Sequence, residues 1–297
     1  MLTNGCSIAK LTPANEASVL PAETSTPRPT LAPDLGTVSP SSEDRWKALS
    51  TLETDLQLVT AAGYPRVCLF DLKAIRDYPN PAYVRLLNRY AADGLEITVY
   101  VQAVEASPET LSIVQEIGAS SVILYEKDLL ALFMAAGIES IWWSGVALPS
   151  NHPDRPQYQG WPDLRTEQVR QDIADWAVQV PHTDGGLALD YIRWNRVGDG
   201  RTSEQVTDLV RRIRENWDKA GDGALSAAVY PYLSQNPDDW GAQSVGQQWD
   251  EWLGSGLVDW VYPMAYDSND IPDLVVGWEN YDRQKIIPCL SPIHFAH

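Results

Sequence analysis

The sequence predicts a (β/α)8 barrel of the TIM type, preceded by a tether. Eight short apolar or β-branched runs recur in about 250 residues, and longer amphipathic stretches separate them, the order of a parallel sheet with helical crossovers. The runs are "RVCLFDL" (66–72), "EITVYVQA" (96–103), "SVILYE" (121–126), "IESIWWSGV" (138–146), "GLALDYIRW" (186–194), "ALSAAVYP" (224–231), "LVDWVYPMAY" (257–266) and "KIIPCLSP" (285–292). Between them, "PAYVRLLNRYAADG", "TEQVRQDIADWAVQV" and "SEQVTDLVRRIRENWDKAG" carry helical periodicity. Two observations favour a closed barrel over an open doubly wound sheet. "FDLKAIRDYP" follows the first run in place of a glycine-rich phosphate loop. The runs also end in polar or aromatic residues (Asp71, Gln102, Glu126, Asp190, Tyr230, Tyr266), as expected where a barrel builds its site. The chain stops at "SPIHFAH" with no closing helix, so a barrel short of its last helix or strand is an open alternative.

Residues 1–44 differ from the remaining 45–297. They are dense in Pro, Ser, Thr and Ala, lack apolar periodicity, and read as a linker. The net charge of −18 disfavours phosphate backbones and anionic lipid, and a neutral substrate suits it better. No apolar run is long enough to span a bilayer. The start "MLTNGC" followed by the tether looks like the remnant of a lipoprotein signal with a lipid anchor at Cys6, which points to an extracellular or cell-surface location; a disordered cytoplasmic tail is the alternative. Cys68 and Cys289 lie in strand-like runs and read as buried thiols. No metal cluster is spaced in the sequence, no cofactor is expected, and a monomer is.

In "GGLALDYIRW" strand parity puts Gly186, Ala188 and Asp190 on one face and Leu187, Leu189 and Tyr191 on the other. Small residues suit a barrel interior, so Asp190 is expected at the rim pointing inward, with the leucines and Tyr191 under the helices. Arg193 either orients the Asp190 carboxylate and lowers its pKa or forms an ion pair at the strand exit.

Two segments resemble a known family. "GGLALDYIRW" is similar to the "DGIHLDYIRYP" strand of the bacterial glycosyl-hydrolase-like lipoproteins, a family-10-like group. "WDEWLGSGLVDWVYPMAY" is similar to that family's later strand. The resemblance implies a (β/α)8 barrel, export, and action on a polysaccharide or oligosaccharide. It departs at Gly185-Gly186, where the family has Asp-Gly, and in strand number, because the family counts the aspartate strand fourth and this chain counts it fifth.

Glycoside hydrolysis needs two carboxyl groups. The resemblance makes Asp190 the nucleophile or base. Asp267 is a candidate acid or a turn cap, and Glu126 and Asp71 are further candidate acids that could equally hydrogen-bond a sugar hydroxyl. For substrate contacts the candidates are Asp71, Tyr191, Arg193, Trp143, Trp194, Tyr230, Met264 and Tyr266, with Trp161 and Trp240 as loop platforms for sugar rings. A non-catalytic polysaccharide-binding barrel is the competing expectation.

Overall fold

The computed structural model describes residues 48–70, 81–101, 107–147, 161–221, 223–236 and 241–292. The tether, Cys6, Asp71, Gln102 and Trp240 lie outside the described residues.

All eight expected strands form, each shorter than its apolar run. They are β1 Arg66–Leu69, β2 Glu96–Tyr100, β3 Ser121–Leu124, β4 Glu139–Gly145, β5 Leu187–Asp190, β6 Leu225–Val229, β7 Trp260–Pro263 and β8 Cys289–Leu290. Every pair is parallel, in the order β7-β6-β5-β4-β3-β2-β1-β8. The parallel bridges Val261↔Ile286 and Met264↔Cys289 join the two ends, so the sheet closes on itself. The expected barrel is therefore present, with its eighth strand, and the Asp190 strand is the fifth.

The helices are α1 Leu49–Ala61, α2 Pro81–Ala92, α3 Pro108–Ile117, α4 Lys127–Ala135, α5 Glu167–Ala177, α6 Ser203–Ala220, α7 Trp249–Gly254 and α8 Ile271–Gly277. Local chemistry sets their ends. Ser107 accepts from Thr110 N at 3.2 Å ahead of Pro108 and starts α3. Gln205 returns to the Thr202 N–H at 2.9 Å at the start of α6. Left-handed glycines, Gly118 and Gly221, end these two helices. The ring place that a helix after β8 would fill is taken from the other end of the chain, because α1 packs against α8 and α2. Leu52, Leu56 and Val59 are its buried stripe.

The core has two layers. The larger lies between sheet and helices and includes Leu187, Leu189, Ile213, Trp217, Trp249 and Trp252. The smaller fills the barrel: Cys68, Tyr100, Ile123, Ile141, Ala188, Tyr262, Ile287 and Cys289, with Phe70, Trp143, Trp260 and Tyr266 packed on it. Strand parity in β5 is thus as expected for Ala188 and the two leucines. Tyr191 departs from it: the strand ends at Asp190, Tyr191 adopts φ 53°, and its ring meets Arg193 and Trp161.

Candidate functional site

β5 carries the central residue of the site. At its start Gly186 has φ +89°, and a Cβ there would collide with the Ala224 carbonyl oxygen, so only glycine lets β5 and the β6 entry approach. Thr183 Oγ1 donates to Gly186 O at 2.7 Å, and Asp184 Oδ1 accepts from Ser140 N at 2.8 Å, which pins the strand to β4. At its other end Asp190 lies opposite Gly145.

The Asp190 carboxylate is nearly enclosed, with 18% of its side chain exposed. Oδ1 accepts the Tyr191 N–H at 2.6 Å, and Oδ2 accepts Trp143 Nε1–H at 3.1 Å. Arg193 Nη1 stands 3.9 Å from Oδ1, beyond hydrogen-bond reach. The Arg193 guanidinium lies over Tyr191, 4.5 Å from its centroid, and over Tyr230, 5.0 Å from its centroid. Burial dominates the electrostatics and raises the Asp190 pKa, against the lowering pull of Arg193, Tyr191 N–H and Trp143. Arg193 thus lowers the Asp190 pKa, as one of the two expectations had it, but from 3.9 Å it does not offset desolvation.

Asp190 lines a small cavity of about 30 Å³, walled mainly by Phe70, Tyr100, Trp143, Tyr262, Met264 and Tyr266, with the two thiols beside them. Phe70 stacks on Tyr100 at 5.3 Å and tilts against Tyr266 at 5.0 Å. Tyr100, Tyr262 and Tyr266 have pKa values pushed up by burial, so their hydroxyls stay protonated donors. Among the described residues that line the cavity, Asp190 is the one carboxylate and none is Lys or Arg.

Of the sequence-derived candidates, the structure brings together Asp190, Trp143, Met264 and Tyr266 in the cavity wall, with Tyr191, Arg193 and Tyr230 beside Asp190. It does not bring Glu126, which is exposed where α4 begins, or Asp267, whose carboxylate caps the next turn by accepting from Asn269 N and Nδ2, both at 2.9 Å. Trp194 is 5% exposed, donates to Thr202 O at 3.0 Å and belongs to the outer core. Trp161 remains 41% exposed, 6.3 Å from Tyr191. Sequence reasoning missed Tyr100, Tyr262 and Phe70. Alternation with buried neighbours puts Tyr100 and Tyr262 on the inner face, and that signal could have found both.

No family model and no curated protein matches the chain. Solved barrels do. Dihydropteroate synthase from Thermus thermophilus is 15% identical over 78% of this chain and 89% of its own, with a TM-score of 0.43. Dihydropteroate synthase from Anaplasma phagocytophilum is 12% identical over 78% and 94%, with a TM-score of 0.45. Phosphoribosylanthranilate isomerase from Thermotoga maritima is 12% identical over 65% and 79%, with a TM-score of 0.34. These similarities add nothing beyond the barrel already read from the strand order.

The expectation of a glycosyl-hydrolase-like lipoprotein is corrected on these findings. No family model and no curated protein supports that family. The glycoside-hydrolase activity and the polysaccharide-binding alternative fall with it. Two-carboxylate catalysis needs a second carboxyl facing the first, and among the described residues that line the cavity Asp190 is the one carboxylate. Two strand motifs on a barrel do not by themselves carry an activity. Among the described residues no helix is long and apolar enough to cross a membrane.

Proposed function

We propose that the chain is an enzyme that acts on a small, flat, largely uncharged molecule, with Asp190 as its general acid–base. The observation that carries this reading is a single buried carboxyl with a raised pKa, held by Trp143 and Tyr191 N–H at the floor of an aromatic cavity. A carboxyl shifted toward neutrality serves proton transfer better than one with an ordinary pKa. The walls favour a ring that stacks on Phe70, Tyr100 and Trp143, since aromatic surfaces pair face to face or edge to face. A ligand N–H edge would find its acceptor in Asp190, and the tyrosine hydroxyls would serve the ligand's carbonyl or ring nitrogens.

The reading is tested by NMR or calorimetric screening of the whole chain against flat nitrogen heterocycles (pterins, purines, aminobenzoates) and against saturated polyols of similar size. Heterocycles are expected to bind, with Asp190→Asn weakening those that donate to the carboxylate. Binding of polyols in preference to rings, or heterocycle binding untouched by Asp190→Asn and Tyr100→Ala, would overturn it.

A further inference from the structure

Arg193 is a cation held just short of its carboxylate. Its Nη1 stands 3.9 Å from Asp190 Oδ1, is buried, and meets no hydrogen-bond acceptor among the described residues. An unpaired buried N–H is costly, and a movement of about 1 Å would turn this one into a charge-assisted hydrogen bond. Two ring faces oppose that movement. The guanidinium lies 4.5 Å from the Tyr191 centroid and 5.0 Å from the Tyr230 centroid. Both rings stand on anchored backbone. The Tyr191 N–H is bound to Asp190 Oδ1, and its carbonyl accepts Arg193 N–H at 2.9 Å. Tyr230, the first residue past β6, donates its N–H to Oε1 of the fully buried Gln247 at 2.8 Å, and its carbonyl accepts Trp249 Nε1–H at 3.2 Å.

We propose that Tyr191 and Tyr230 clamp the Arg193 guanidinium away from Asp190, which makes Tyr230 a positioning residue for the acid–base carboxyl. The proposal rests on the acid–base reading of Asp190 and adds to it a residue from another strand exit. Away from water, two cation–π contacts compete with one ionic hydrogen bond. While the rings hold the guanidinium, it acts on the carboxyl from a distance. With one face gone it closes on the carboxylate and favours the ionised form. The other titratable groups that act on Asp190 among the described residues are Tyr191, Tyr100 on β2, Tyr266 past β7 and Cys289 on β8. Burial pushes all four upward, so they stay neutral while Asp190 titrates and leave Arg193 as the charge that the clamp controls.

The test is the pH titration of the Asp190 ¹³Cγ resonance in the full chain and three variants. Tyr230→Leu removes one ring face and should move the inflection down. Tyr230→Phe keeps the face and should restore the parent inflection. Arg193→Met should move it up, and in the Tyr230→Leu, Arg193→Met double variant the downward move should vanish, which separates release of Arg193 from entry of water. If Tyr230→Leu disturbs folding, the parent chain decides the matter: the Arg193 side-chain protons should keep an upfield ring-current displacement on both sides of the Asp190 inflection. An inflection in Tyr230→Leu at or above the parent's, a downward move that survives without Arg193, or a displacement lost as Asp190 ionises would overturn the clamp. The clamp is judged on the difference between variant and parent, whereas the acid–base reading is judged on the parent's own inflection, so either can fail without the other.

Discussion

Asp190 shows how a residue is kept at a cost to the fold that surrounds it. Its carboxyl is raised above 3.8 chiefly by desolvation, so the folded state binds its proton more tightly than the unfolded state does. Such a group contributes stability that is complete below the unfolded pKa and is lost as pH rises through the higher folded value. Asp190→Asn, which cannot ionise, should therefore gain stability relative to the parent as pH rises through the raised Asp190 pKa, and the two should differ least in acid; chemical denaturation across pH measures this. Against a substrate found by the screen, the same variant should lose about 10²–10⁴-fold in kcat. Trp143 Nε1 donates to the ionised form, so Trp143→Phe should move the Asp190 titration further up, read from its side-chain ¹³C shift.

The strand β5 and its neighbours place that carboxyl, and here the sequence was informative to unequal degrees. The eight runs, the small-residue face of Ala188 and Asp190, and the burial of Cys68 and Cys289 were legible, because period-two alternation and apolar runs report directly on sheet packing. Strand ends were not, since apolar runs continue into the loops beyond the last ladder bond, and Tyr191 leaves the strand on a positive φ that no pattern announces. Asp267 and Glu126 looked like rim carboxylates for the same reason, although one caps a turn and the other opens a helix. Trp194 looked like a platform because its position at a strand exit says nothing of its bond to Thr202 O. At this scale Gly186→Ala should cost roughly 2 kcal/mol or more, because it combines a left-handed backbone with a collision against Ala224; thermal unfolding checks it.

The whole barrel is completed by α1, which stands between α8 and α2 although it precedes β1. Leu52 and Leu56 are fully buried there, so Leu52→Ala or Leu56→Ala should destabilise the entire cooperative unit by about 2–5 kcal/mol in urea titration, and not a local segment alone. Closure of the ring forms the enclosed floor on which the aromatic cavity rests, and enclosure raises the Asp190 pKa. The most direct measurement is the pH titration of the Asp190 ¹³Cγ resonance in the intact chain, assigned by its loss in Asp190→Asn. An inflection above 3.8 is expected of a carboxyl desolvated in this cavity. An inflection at or below 3.8 would contradict the central assignment, because the carboxyl would then be an ordinary ion paired with Arg193 and not a proton donor and acceptor for a bound substrate.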